Sequence, residues 1–212
     1  MKKLILIALS IVSVNSISNA QDDDNRREKI IIGAKVGGNL SNVYDDSGED
    51  FIADSKLGLA LGAFLAIPIN KFIGVQPEVL YSQKGFKASG RLLGSTYSFT
   101  RTTSFIDVPL LLAIKPSENL TLLIGPQYSF LLQQKDVFSN GTNSVQQITE
   151  FQNDDIRKNM LCATGGIDIS FKYMVLGLRA GIDLQSNNVN GTSNTPRYKN
   201  TWLQATVGFR LL

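Results

Sequence analysis

Eight charged residues lie within otherwise apolar stretches of the sequence, where they could form ion pairs or take part in acid–base chemistry. Four are cations and four are anions: Lys35, Lys56, Arg179, Arg210, Glu78, Asp107, Asp168 and Asp183. Charged side chains are tolerated away from water when they are paired with opposite charges. Because the two signs balance, we predict that these eight side chains form a structural ion network.

Catalytic and metal chemistry is disfavoured by what the sequence lacks. It contains no histidine, which is the commonest general base and a frequent metal ligand. Cys162 is the single cysteine, so it can form no intramolecular disulfide and has no histidine to activate it. Glu78 and Asp107 could act as a carboxylate pair in hydrolysis. The acidic residues at 45–50 could bind a cation, but they lack the spacing of an EF-hand loop. We therefore predict that the protein is not an enzyme and uses no metal or cofactor.

The N-terminus has the three parts of a secretory signal peptide. Lys2 and Lys3 precede an apolar run at 4–14, and small residues stand at 18 and 20. The apolar run is shorter than the roughly 20 residues that a membrane-spanning helix needs. We predict a cleavable signal peptide at 1–20, a short polar leader at 21–29 and one domain at 30–212.

The net charge gives no reason to expect a nucleic-acid partner. The formal charge is +3, and loss of Lys2 and Lys3 with the signal peptide would leave 3 minus 2, or +1. A protein that binds the phosphate backbone carries a clear excess of positive charge. We predict no nucleic-acid partner.

The elements that must position the charged residues are β-strands, because the chain after residue 21 alternates with period two and shows no sustained helical period. We predict eight strands, at 30–40, 55–67, 72–84, 98–114, 120–134, 158–172, 175–186 and 198–211. Short links at 68–71, 116–119 and 172–174 alternate with long polar links at 41–54, 85–97, 135–157 and 187–197. An even strand number with alternating short turns and long loops is typical of bacterial outer-membrane barrels. We predict an eight-stranded antiparallel up-and-down transmembrane β-barrel.

The two faces of these strands differ sharply in composition. One face is apolar and carries no charge, with Leu59, Leu110 and Leu178 among its residues. The other carries the eight charged residues and ten glycines, at 33, 37, 58, 62, 74, 125, 166, 177, 181 and 208. The interior of an eight-stranded barrel is only just wide enough for side chains, so the large apolar residues would overfill it. We predict that the apolar face is turned towards lipid and that the glycines make room inside for long charged side chains.

Aromatic residues fall into two groups along the predicted strands, as expected of interfacial girdles. Near the short turns these are Phe72, Phe171, Tyr173 and Phe209. Towards the long loops they are Tyr81, Phe86, Phe99, Tyr128, Phe130, Tyr198 and Trp202. The pattern predicts one aromatic band at each membrane surface.

Four segments of the chain resemble the PorT-like outer-membrane β-barrel proteins. They are GAKVGGNLS at 33–41, VQPEVLYSQKG at 75–85, FIDVPLL at 105–111 and GPQ at 125–127. The resemblance covers most of residues 30–212. It implies a signal-bearing barrel in the outer membrane of a Gram-negative bacterium, in a family whose namesake is linked to secretion across that membrane.

The function predicted from these features is that of a non-enzymatic integral outer-membrane protein with an envelope structural, adhesion or secretion-accessory role. Its expected partners are outer-membrane lipid, the barrel-assembly machinery during insertion, and an extracellular or envelope protein that contacts the long loops. Two alternatives remain open at this stage. One is passive transport of a small solute, which the narrow interior of eight strands disfavours. The other is a soluble periplasmic, lipocalin-like barrel with its apolar face inward around an apolar ligand.

Overall fold

The computed structural model describes residues 26–44, 53–92, 95–139, 144–149, 157–188 and 198–211. Its strands are β1 (Ile31–Tyr44), β2 (Asp54–Pro68), β3 (Ile73–Leu92), β4 (Ser95–Ile114), β5 (Leu120–Ser139), β6 (Ser144–Thr149), β7 (Asn159–Ser170), β8 (Met174–Asp183) and β9 (Lys199–Arg210). The described residues include no helix long and apolar enough to cross a membrane. The predicted signal peptide and the acidic residues at 45–50 lie outside the described residues.

Eight of the strands close into a barrel. Each pairs antiparallel with its neighbours, β5 pairs with both β4 and β7, and β9 closes the ring on β1. The predicted eight-stranded antiparallel barrel is therefore confirmed. The sixth strand, β6, stands outside the ring, because it pairs with residues 134–139 of β5 whereas β7 pairs with residues 120–130 of the same strand.

The alternation of the strands turns the apolar face outward. Leu59, Leu110 and Leu178 are 43%, 53% and 51% exposed, whereas Arg179 and Asp168 are 4% and 6% exposed. In β8 every residue from Met174 to Ala180 alternates between exposed and buried. The apolar surface needs lipid around it, because such a surface in water would carry the full cost of apolar exposure. The lipocalin-like alternative, with its apolar face inward, is wrong.

Two of the predicted long links contain strand. Residues 85–92 continue β3 and residues 95–97 begin β4, while β5 continues to Ser139 and is followed by β6. These segments mix glycine, serine and charged residues with apolar ones, so the regular alternation that reveals a membrane strand is missing from them. Their backbone pairing continues nevertheless, since antiparallel hydrogen bonding needs no apolar face.

The aromatic band predicted at the looped end is partly wrong. Phe86, Tyr198 and Trp202 are buried inside the barrel. Trp202 shares the inward face of β9 with Asn200 and Gln204, and it packs in the interior against residues such as Phe105. In contrast, the four aromatic residues predicted near the short turns are exposed on the outer surface: Phe72, Phe171, Tyr173 and Phe209.

Glycines on the inner face make room for aromatic rings as well as for charges. A Cβ atom built at Gly33 would lie 2.4 Å from Cζ of Phe64, and one built at Gly181 would lie 2.2 Å from Cζ2 of Trp202. A Cβ atom at Gly177 would lie 2.8 Å from Oδ1 of Asp168. The prediction that glycines accommodate charged side chains therefore covers only part of their role.

Gly85 is the position where the backbone itself requires glycine. Its φ is 142°. Its amide donates to Ser41 Oγ at 2.9 Å, and that hydroxyl donates back to the Gly85 carbonyl at 2.9 Å. A Cβ atom at this position would also lie 2.1 Å from the carbonyl oxygen of Arg101. The pairing of β3 with β4 therefore depends on the absence of a side chain here.

We expect Gly85→Ala to lower the free energy of unfolding by about 1–3 kcal/mol, because alanine is strained at this φ. The measurement is urea unfolding of the protein folded in phosphatidylcholine vesicles. Gly38→Ala is the matched control, since a Cβ atom there would lie 3.4 Å from Gly58 O, which is close to an ordinary van der Waals distance. Equal losses in the two variants would contradict a special role of the Gly85 backbone.

Candidate functional site

The first charged cluster lies in the barrel interior towards the short-turn end and joins four strands. Lys35 Nζ donates to Glu78 Oε2, and Arg179 Nη2 lies 3.6 Å from Glu78 Oε1. Arg179 also binds both carboxylate oxygens of Asp168, at 2.8 and 2.9 Å. Gln76 Nε2 donates to Glu78 at 2.8 Å and to Asp168 at 3.2 Å. Two cations, two anions and an amide are thereby paired away from water, while the buried Nε of Arg179 has no hydrogen-bond partner among the described residues.

The second cluster lies further along the interior, around a buried ammonium group. Lys84 Nζ lies 3.1 Å from Asp107 Oδ2 and 3.7 Å from the centroid of the Trp202 ring. Asp183 is held by other donors: the backbone amide of Asn200 at 2.9 Å and Cys162 Sγ at 3.1 Å. Cys162 therefore serves as a small buried hydrogen-bonding residue, as its lack of a histidine partner led us to expect.

The third cluster covers the interior at the looped end. Arg101 binds Asp136 through two parallel hydrogen bonds, from Nε to Oδ1 and from Nη2 to Oδ2, each 2.8 Å long. Its Nη1 donates to Tyr198 Oη at 3.3 Å. The guanidinium carbon also lies 5.4 Å from the ring centroid of Phe99 and 5.9 Å from that of Phe86. A bidentate ion pair and three aromatic rings thus form a layer across the mouth of the barrel.

The structure brings six of the eight predicted residues into the first two clusters: Lys35, Glu78, Asp168, Arg179, Asp107 and Asp183. The prediction that Lys56 joins them is wrong. Lys56 keeps the inward parity of β2 but lies near the looped end of the strand, opposite Ser41, and its Nζ donates to Leu57 O at 3.2 Å. Arg210 lies at the opposite end, where it lines a small cavity that Asp168 and Gln76 also line.

A further cation belongs to the short-turn end of the interior. Lys115 follows the last residue of β4, and its Nζ donates to the backbone oxygen of Arg27 at 2.9 Å. Burial lowers the pKa of this ammonium group, and the positive charges of Arg210 and Arg27 lower it further. The N-terminal residues of the domain are thereby fastened beneath the barrel.

Several residues of these clusters were missed from the sequence although a signal was present. Lys84 has the same parity in β3 as Glu78, which means that the two are an even number of residues apart and lie on the same face of the strand. Arg101 has the same parity in β4 as Asp107. Gln76 was overlooked because it is uncharged. Asp136 lies beyond the predicted end of its strand at 134, so nothing assigned it to a face.

The cavities beside the charged clusters are small. A cavity beside Glu78, Arg179 and Trp202 has a volume of about 10 Å³, which is at the lower limit for a single water molecule. A second, beside Lys35, Phe64 and Asp168, has essentially no volume. The charged and aromatic side chains therefore leave little room for water in this part of the interior.

Comparison with known proteins gives a family and a set of structural relatives. The family model described as outer membrane protein beta-barrel domain matches residues 19–185. Ail, the attachment invasion locus protein of Yersinia pestis, is similar with 14% identity over 85% of this chain and 98% of its own, at a TM-score of 0.45. Neisserial surface protein A is similar with 9% identity over 85% of this chain and 97% of its own, at a TM-score of 0.46. The N-terminal β-barrel domain of Pseudomonas aeruginosa OprF has 9% identity over 86% and 96%, at a TM-score of 0.39. No curated protein matches the chain.

Proposed function

Because this chain belongs to the family of outer membrane protein beta-barrel domains, we propose that it is a non-enzymatic surface protein that contacts a protein partner through its looped end. The barrel is located in the outer membrane, with its apolar face in lipid. The proposal concerns what the barrel presents outside the membrane.

The observation that carries the proposal is the length of three neighbouring strands. β3, β4 and β5 have 20 residues each, whereas a strand crosses a bilayer with about 9–11 residues. The links at the other end are short, so the surplus lies at the looped end. We call this surplus the extension and define it as residues 88–92, 95–100, 134–139 and 144–149. A paired sheet that rises from the membrane offers a partner a fixed surface.

The filled interior argues against the alternative of passive transport. Ion pairs and aromatic rings occupy the positions that a channel would need open, and eight strands leave little space between them. We expect the purified protein to give no conductance steps in a planar lipid bilayer. Stable steps that persist across preparations would contradict this expectation and favour transport of a small solute.

Finer aspects of the function are also proposals. We propose that residues 1–20 direct export and are removed, and that the barrel-assembly machinery inserts the domain. The resemblance to PorT-like proteins supports a secretion-accessory role for the contact made by the extension. Mass spectrometry of the mature protein would check cleavage after Ala20, for which Gln21 would be the first residue.

The experiment that tests the contact is photo-cross-linking in intact cells. Ser89 lies exposed in the extension and Ser117 lies exposed in a short turn at the opposite end. A photoreactive residue at position 89 is expected to give a protein adduct accessible to protease added outside the cell. The same residue at position 117 is the matched control and should give no adduct of that kind. If position 89 and several other positions in the extension give no externally accessible protein adduct, the proposal is contradicted.

A further inference from the structure

We propose that the open edge of β6 receives an extended polypeptide segment of the partner as an additional antiparallel strand. This inference rests on the proposed surface role and specifies where the partner binds and by what chemistry. The main contacts of the partner segment would be made by its backbone, and its side chains would add to them.

Within the described part of the chain, β6 pairs along one edge, and no described strand pairs along the other. Its six residues pair with β5 from Ser139↔Ser144 to Gln134↔Thr149. Among the residues that the structure describes, no strand lies on its other side. In an antiparallel pair, alternate residues direct both their N–H and C=O groups away from the partner. About half of the residues of β6 therefore present paired donors and acceptors at the open edge, which is a template for strand addition.

The sequence of β6 lacks the features that usually protect such an edge. Natural sheet edges are blunted by charged residues, by proline or by bulges, yet the segment SVQQIT contains no charge, no proline and no glycine. The opposite edge of the extension is different, because residues 88–92 of β3, which follow the last residue paired with β2, include a charged residue, Arg91, and a glycine, Gly90. Of these two edges, the one formed by β6 is thus the better suited to accept a strand.

The edge selects a polypeptide over a lipid or a sugar. Only another backbone repeats donors and acceptors at the spacing of a β-strand, about 3.3 Å per residue. Since β6 carries no charge, a partner segment with uncharged polar and β-branched residues meets no unpaired ion on this strand. The chemistry of the edge therefore indicates an extended segment of low net charge.

The base of the extension is held in place before any partner binds. Arg101 and Asp136 stand directly opposite each other in the register of β4 and β5 and share two hydrogen bonds of 2.8 Å. Gln134 Nε2 adds a hydrogen bond of 3.2 Å to the same carboxylate. β5 is thus fixed where β6 begins to pair with it. A strand already ordered in this way loses little conformational entropy when a partner adds to it.

The test uses the mature protein in nanodiscs of dimyristoylphosphatidylcholine and a fluorescent peptide that copies residues 134–139, the native partner of β6. This peptide has one Lys and one Asp, so its side chains are neutral overall. Hydrogen exchange of the protein alone identifies which amides of β6 face β5 and which face the open edge. Gln146→Pro and Gln147→Pro then form a matched pair, because neighbouring amides point to opposite edges.

We expect saturable peptide binding that slows exchange at the open-edge amides of β6. Proline at the open-edge glutamine should weaken binding at least tenfold and leave exchange at Phe138 unchanged. Proline at the other glutamine should instead speed exchange along residues 134–139. Absence of peptide binding, or binding unchanged by the open-edge proline, would overturn the proposal of strand addition. The cross-linking result at Ser89 would then still decide separately whether the extension contacts a partner.

Discussion

Replacing Glu78 with glutamine is expected to lower the free energy of unfolding by about 3–5 kcal/mol, the cost of removing one partner from a buried ion pair. Glu78 lies between two cations, Lys35 and Arg179. Asp168 remains beside Arg179 in the variant, but Lys35 loses the carboxylate with which it forms an ion pair. A buried ammonium group without a direct ion-pair partner then destabilises the folded barrel.

The measurement is urea unfolding in phosphatidylcholine vesicles, followed by the fluorescence of Trp202, which is the only tryptophan and is buried in the interior. Asp54→Asn makes the same chemical change at an exposed position and should alter stability by no more than about 0.5 kcal/mol. The double variant Lys35→Met with Glu78→Gln removes both charges. It should recover part of the loss, because a buried pair can be replaced by neutral groups at little net cost. If the double variant is no more stable than Glu78→Gln alone, the cost does not arise from the unpaired ammonium.

The barrel could be predicted from the sequence because two constraints act on every membrane strand. One face must be free of charge over the whole crossing, and the opposite face must fit a narrow interior. These constraints fix the parity of each strand, which is why parity predicted an inward position for six charged residues, on five strands, that the structure buries inside the barrel. Once the parity of a strand is known, a residue such as Asp107 can be assigned to the inner face without further information.

Outside the membrane the same constraints no longer apply, and the prediction lost accuracy there. Residues 85–97 and 135–157 were assigned to loops because they are rich in polar residues and glycine, yet residues 85–92, 95–97, 135–139 and 144–149 form strands. Lys56 shows a different limit. Its parity is that of the inner face, as predicted, but parity does not give the partner, and near the looped end its Nζ donates to Leu57 O rather than to a carboxylate of the two clusters.

Aromatic residues were misplaced for a related reason. Their position along the strand suggested an interfacial band, whereas their parity, which decides between lipid and interior, was not applied to them. Trp202 shares its face with Gln204, and Gly181 opposite provides the space that the ring fills. Position along a strand gives the depth of a residue in the membrane, and parity decides whether its side chain faces the interior or the lipid. Both are needed to place a large residue.

Arginine at Leu178 is expected to lower the free energy of unfolding by about 2–4 kcal/mol, because its charge would lie in lipid near the middle of the bilayer. Leu178 is 51% exposed and lies at the centre of β8. The matched variant is Leu184→Arg. Leu184 is the same residue type, is 52% exposed and has the same parity, just beyond the end of β8. From there the guanidinium can reach the headgroups along its aliphatic stem, so the loss should be about 0–1 kcal/mol.

The difference between the two arginine variants separates a membrane barrel from a barrel in water more directly than either value alone. Both positions expose leucine equally, so a protein surrounded by water would accept the two charges equally well. Only a medium whose polarity changes with depth, as a bilayer does, makes Leu178→Arg strongly destabilising and Leu184→Arg mildly so. Equal unfolding free energies in vesicles would therefore contradict the outward orientation of the apolar face, on which the filled interior, the ion network and the projecting extension all depend.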